Sequence, residues 1–179
     1  MEIERRWFVE GWPEDTEGTP KMDILREEEM DQGYVTIEPS VRIRREALVR
    51  GTECTEASVR HMLNMKSGRG IARKEVEFPI PEDQYKEVED LIDKPLIQKV
   101  RRTYMLPDGL HLEVSKVDEG LPSEFWYAEV EYASVEQGRA WDPAACGLGS
   151  YLANDVTDQP GQSMAAYWAM TRLDEGKAD

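Results

Sequence analysis

Cysteine and histidine are nearly absent from this chain. Cys54 and Cys146 stand far apart and outside any metal-ligand spacing, so a disulfide-dense scaffold and a cysteine zinc site are both excluded, and reduced thiols are expected. His61 and His111 are equally isolated and read as packing or surface residues. Positive charge is also short: 22 Lys and Arg face 37 Asp and Glu, a formal net charge of -15, which argues against a general basic surface for nucleic acid. No apolar run approaches the ~20 residues of a membrane span, and no secretory segment is visible, so a cytoplasmic protein that does not engage the membrane is expected. Fixed-period repeats and low-complexity linkers are lacking, which predicts one domain over 1–179 with a flexible polar tail from about 174.

What is present is enough for a core: 40% apolar residues, with five Trp and seven Tyr in 179. The informative feature is alternation. In Glu2-Ile3-Glu4-Arg5-Arg6-Trp7-Phe8 an extended backbone puts Glu2, Glu4 and Arg6 on one face and Ile3, Arg5 and Trp7 on the other. Same-face neighbours are ~7 Å apart, so two carboxylates can reach one divalent ion with a cation alongside. A lone Glu-x-Glu is ordinarily a solvated face; only repetition gives it weight.

Repetition follows. Val41 to Arg45 puts Arg42 and Arg44 on one face, and Val59 to Lys66 reads as a strand that the Ser67–Gly70 turn returns through Arg73, Glu75 and Glu77. Lys99 and Arg101 share a face between Leu96 and Met105, Glu113 and Ser115 between Leu110 and Val117, and Glu129 and Glu131 between Phe125 and Tyr132. Helices are expected at 21–31, where Met22, Leu25 and Met30 are loosely spaced, and at 82–93, with a stripe of Tyr85, Val88, Leu91 and Ile92. Two more are expected after the N-caps Ser134, with Gln137 at the capping-box position, and Ser163. Trp7, Trp12 and Trp126 read as packing residues rather than an interface. The oligomeric state, a homodimer included, is left open.

The ionisable faces carry like-sign pairs, Glu2/Glu4, Glu75/Glu77 and Glu129/Glu131 against Arg42/Arg44 and Lys99/Arg101. Like charges in adjacent same-face positions repel, and selection for solubility alone mixes signs. A phosphate chain with divalent cations needs both kinds of block. The faces converge if an antiparallel sheet closes into a barrel with a polar interior and helices packed outside, an α+β fold that also removes strand edges.

These segments, in this order over roughly 2 to 158, resemble the CYTH superfamily, the triphosphate tunnel metalloenzymes. Glu2-Ile3-Glu4-Arg5-Arg6 is similar to that family's Glu-x-Glu-x-Lys signature. The likeness continues through Val41–Arg45, Met65-Lys66, Arg73–Ile80, Ile97–Arg101, Leu112–Val114 and Ala128–Glu131. The resemblance implies a closed eight-stranded antiparallel tunnel acting on a triphosphate with Mg²⁺ or Mn²⁺. It implies Glu2, Glu4 and Glu129 as metal ligands, Glu131 and Glu113 as further carboxylates, and Arg6, Arg42, Arg44, Lys66, Arg73, Lys99 and Arg101 as the phosphate cradle. Glu4, Glu131 and Lys66 are the expected catalytic groups, and Glu75 and Glu77 are expected to orient the basic residues. The chain departs from the family pattern at Arg6 for Lys, at Ser115 for Asp, at Asp155-Val156-Thr157 for Glu-Val-Thr, and in Gly161-Gln162-Ser163-Met164. The expected substrate is a small triphosphate, tripolyphosphate ahead of ATP or thiamine triphosphate. Adenylyl cyclase chemistry and a non-catalytic polyphosphate- or nucleotide-binding module are the alternatives.

Overall fold

A computed structural model of the protein describes residues 1–51 and 58–173. The polar turn expected beyond Gly51, with Cys54 in it, and the tail from 174 lie outside the described residues. Nine strands are formed: β1 (Glu2–Phe8), β2 (Ile24–Ile37), β3 (Ser40–Gly51), β4 (Val59–Ser67), β5 (Ala72–Pro79), β6 (Ile97–Met105), β7 (His111–Val117), β8 (Phe125–Glu131) and β9 (Asn154–Asp155). Three helices accompany them: α1 (Glu82–Ile92), α2 (Val135–Ala140) and α3 (Met164–Trp168).

The strands lie in the order β5-β4-β3-β2-β6-β7-β8-β1, all neighbours antiparallel, and β1 pairs back onto β5 through Glu2 with Arg73 and Ile3 with Ala72. The result is a closed eight-stranded antiparallel barrel, with the short β9 laid beside the end of β1. Closure leaves no exposed edge among the eight strands and gives each an inside and an outside.

The helix expected at 21–31 is instead the front of β2. Burial there follows a period of two: Glu28, Met30, Gln32 and Tyr34 are buried while Glu29 is exposed. Hydrogen-bonded ladders to β3 on one side and β6 on the other satisfy the backbone along the whole segment. Tertiary pairing overrides a weak local propensity. In α1, Tyr85 is buried against β2 but Leu91 is 83% exposed, so the covering stripe runs through Tyr85, Val88 and Ile92 and passes Leu91 by. Gly33 lies beneath this layer because an added Cβ would meet Leu96 Cδ2 at 2.6 Å and Ile92 Cδ1 at 3.1 Å.

Two apolar clusters hold the barrel. Outside β1, β6, β7 and β8, Trp7, Tyr104, Leu112, Val114, Ala128 and Val130 pack under Cys146, Leu148, Tyr151 and Leu152 of the long connection after α2. Trp7 is fully buried and meets Trp141 edge-on at 5.8 Å, while Trp12 and Trp126 meet at 4.7 Å, so these tryptophans are packing residues. The second cluster caps one barrel end: Tyr34, Ile97, Val117 and Tyr127 take Met164, Tyr167 and Trp168 of α3.

Ser163 caps α3 by accepting from Ala166 N at 3.1 Å, and the buried pair Arg172–Asp118 at 2.6 Å ties down the turn that follows it. Ser134 caps α2 by accepting from Gln137 N at 3.1 Å, and Gln137 Oε1 accepts from Ala133 N. No helix among the described residues is long and apolar enough to cross a membrane.

The packing predicts that Trp7→Ala costs about 3–5 kcal/mol. Urea unfolding should show a lower midpoint at an unchanged slope.

Candidate functional site

The inner face can be followed strand by strand through the register. Arg6 and Glu4 of β1 sit opposite Glu129 and Glu131 of β8, and Glu129 and Tyr127 sit opposite Glu113 and Ser115 of β7. Ser115 faces Arg101 of β6, Arg101 faces Glu28 of β2, and Gln32 and Tyr34 face Arg44 and Arg42 of β3. Arg42 faces Asn64 of β4, Asn64 and Lys66 face Glu77 and Glu75 of β5, and Arg73 returns to Glu2. Every residue expected from the sequence to bind metal or phosphate is therefore on one lumen.

The carboxylates group differently from the expected first set. Glu2, Glu4 and Glu131 each offer an oxygen within 4.8 Å of the others. Glu129 accepts instead from Arg6 Nε at 2.8 Å, and Glu113 accepts from Arg101 Nη1 at 2.9 Å. The three-carboxylate group suits a hard divalent cation, which takes oxygen ligands and several charges. A buried atom with unspent capacity supports the fit: Glu2 Oε2 has no hydrogen-bond partner, although Arg73 Nη2 lies 3.1 Å away out of alignment. Burial and the Glu129 charge push the Glu4 carboxyl up to about 8, even against Arg73 and Arg6. Burial and then the carboxylates of Glu113, Glu2 and Glu129 push Glu131 up as well. A cation among them would relieve both.

Most lumen cations already have an acid. Arg101 donates to Glu28 at 2.8 Å, Arg44 pairs with Glu46 at 2.6 Å and Glu77 at 3.1 Å, and Lys66 reaches Glu2 and Glu75. Arg73 is clamped onto Glu4, and Arg6 onto Glu129. Two cations stand apart. Arg42 is buried, its Nε has no partner, and no carboxylate lies in ion-pair range of it among the described residues. Lys99 is buried, and among the described residues the Tyr127 hydroxyl, 3.0 Å from Nζ, is its one hydrogen-bond partner. Burial, followed by the charges of Arg101, Arg44 and Arg42, drives the Lys99 ammonium well below the ordinary lysine range.

A cavity of about 580 Å³ opens over this region, lined by Glu4, Arg6, Tyr34, Arg42, Lys66 and Arg73 from the barrel. The Ser67–Gly70 turn and the 156–166 segment form its rim. The segment is tied to β1: Arg6 N donates to Thr157 Oγ1 at 3.0 Å, and Arg6 Nη1 donates to the Gln162 carbonyl at 2.8 Å. Asp155 accepts from Arg5 on the outer face at 2.7 Å. The departure at Gly161–Met164 thus falls on a wall of the cavity, whereas Asp155 is not among the residues that line it.

Sequence reasoning overlooked Glu28, Glu46, Asn64 and Tyr127 as lumen residues. Glu28 was hidden by the helical reading of 21–31. The others were within reach, since Glu46 continues Arg42-x-Arg44 by two, Asn64 precedes Lys66 by two, and Tyr127 precedes Glu129 by two.

A closed antiparallel barrel thus holds in one lumen a carboxylate group and, among the described residues, two buried cations without an acid. No family model matches the chain. The inorganic triphosphatase of Nitrosomonas europaea is 28% identical over 142 residues, 79% of this chain and 83% of that protein. A solved inorganic triphosphatase shares the fold at a TM-score of 0.58 with 22% identity, covering 93% of both chains. A Hippeastrum protein, described as a putative adenylyl cyclase with a dominant triphosphatase activity, superposes at a TM-score of 0.60 with 15% identity, covering 95% of this chain and 96% of that one. The resemblance to the CYTH superfamily holds in the fold.

The Lys99 environment carries a testable sign. Its folded pKa lies below the unfolded value of 10.5, so the penalty of the buried ammonium is full below the folded pKa and fades as pH rises toward 10.5. Lys99→Met should therefore stabilise the empty protein at pH 7 by about 1–4 kcal/mol. Urea unfolding should show the gap narrowing at alkaline pH.

Proposed function

We propose that the protein is a divalent-metal-dependent triphosphatase that hydrolyses inorganic tripolyphosphate inside the barrel. The observation that carries this reading is the pair of buried cations without an acid, Arg42 and Lys99, beside the Glu2–Glu4–Glu131 group. An uncompensated buried charge is expensive unless an anion completes it. A triphosphate is a linear anion long enough to meet cations on several strands at once. Tyr34 is the one aromatic ring among the described residues lining the cavity, so an adenine or thiamine ring has little to stack on.

In this reading Arg6, Arg42, Lys66 and Arg73 bind the non-bridging oxygens from separate strands, and Lys99 and Arg101 hold the far end of the chain. Such positioning and charge neutralisation are most of what phosphoryl transfer requires. Glu2, Glu4 and Glu131, with Glu129 and Glu113 nearby, would hold Mg²⁺ or Mn²⁺, which when bound neutralises phosphate oxygens and acidifies water. Glu131, the most exposed carboxylate of its group, takes the proton of the attacking water at its Oε and passes it to solvent. Lys66 donates to the departing phosphate oxygen. Rigid strands fix these groups before substrate arrives. Cytoplasmic residence belongs to the same proposal and is supported by the free, buried thiol of Cys146.

The test is phosphate release from tripolyphosphate, ATP and thiamine triphosphate, each with Mg²⁺, Mn²⁺ or chelator. Tripolyphosphate turnover should require metal and fall about 100-fold in Glu4→Gln, and ATP should yield no cyclic AMP. Turnover untouched by chelator or by Glu4→Gln would end the proposal. In a calorimetric titration with Mn²⁺, Glu2→Gln and Glu131→Gln should each weaken binding at least about tenfold.

A further inference from the structure

We infer that Asn64 is the positioning residue of the phosphate cradle, acting through Glu75 and Glu77 on two of its cations. The inference rests on the tunnel reading above. Asn64 is completely buried in the middle of β4, at a lumen position where charged side chains surround it. Its single amide nitrogen donates to two carboxylates, Glu75 Oε1 and Glu77 Oε2, the latter at 2.9 Å. Each of those carboxylates holds a different cation: Glu75 lies 3.3 Å from Lys66 Nζ, and Glu77 lies 3.1 Å from Arg44 Nη2. One amide thus sets the spacing between two acids that repel each other on one strand face, and through them the heads of a lysine and an arginine on two other strands.

The orientation of the amide is dictated by its surroundings, since a flip would aim the carbonyl oxygen at two carboxylates. Its Oδ1 is left without a partner in the interior. A buried acceptor with no donor is a cost that an apolar side chain of equal size would not carry, and it offsets part of what the two donated hydrogen bonds contribute. What the amide supplies is donors. The side-chain hydrogen bond from Asn64 also helps Lys66 hold Glu75 ionised against its burial, and Glu75, with Glu2 on its other side, holds the head of Lys66 where it lines the cavity.

Two substitutions separate positioning from packing. Asn64→Leu keeps the volume and removes both donors, and Asn64→Ser loses volume but keeps a hydroxyl donor. Positioning predicts that KM for tripolyphosphate rises about tenfold or more in Asn64→Leu, with kcat falling as well because Lys66 is displaced, and with a melting temperature no lower than that of Asn64→Ser. Asn64→Ser should show the smaller rise in KM. A packing role predicts the reverse order, with Asn64→Ser the worse variant in both stability and active fraction. If wild type turns over tripolyphosphate and KM is unmoved in both variants, or follows the packing order, the assignment of Asn64 is overturned while the tunnel reading stands. A wild type that releases no phosphate overturns that reading, and the role of Asn64 with it.

Discussion

Ionised side chains in a protein interior are costly unless each finds its counter-charge within hydrogen-bonding reach. This barrel meets the requirement by register. Antiparallel pairing sets Arg6 against Glu129, Arg101 against Glu28, Lys66 against Glu75 and Arg73 against Glu2, so the hydrogen-bonded ladder that builds the wall also matches the charges within it. A slip of one residue in any strand would turn its lumen charges outward and its apolar residues in. The covalent order of the chain and the charge pattern of the lumen are therefore one constraint.

The matching is incomplete at a particular place, and that incompleteness gives the barrel its chemistry. Toward the end covered by α3, Arg42 and Lys99 lie buried with no carboxylate in ion-pair range among the described residues, while in the same lumen Glu2, Glu4 and Glu131 crowd together. Excess cation and excess carboxylate in one lumen are what the proposed complex of a polyanion with a metal ion would need. The energy withheld from the empty protein is available to the complex, an exchange of stability for binding that recurs at functional sites. The outer apolar cluster around Trp7 and the cap formed by Met164, Tyr167 and Trp168 hold the wall rigid enough to bear it.

Legibility in the sequence followed the length of the pattern. Glu2-x-Glu4-x-Arg6, Arg42-x-Arg44, Lys99-x-Arg101 and Glu129-x-Glu131 were readable because a strand alternates rigorously and each pair occupies one face. The 24–31 segment was not readable, because three successive glutamates followed by a methionine fit a helix locally as well as a strand. Only the partners on both sides, β3 and β6, distinguish the two. Asn64 and Tyr127 share a strand face with Lys66 and Glu129 but carry no charge to draw notice.

The sequence by itself determined which residues share a strand face, where the turns fall, and that both signs of charge must converge. That information is local, held in a two-residue period and in glycine and proline positions. Tertiary structure alone decided that Glu131 joins Glu2 and Glu4 while Glu129 is claimed by Arg6. It also decided which cations go without an acid. The reason is that such pairings depend on how far neighbouring strands are offset along the barrel, a quantity set by closure of the whole sheet and written in no single segment.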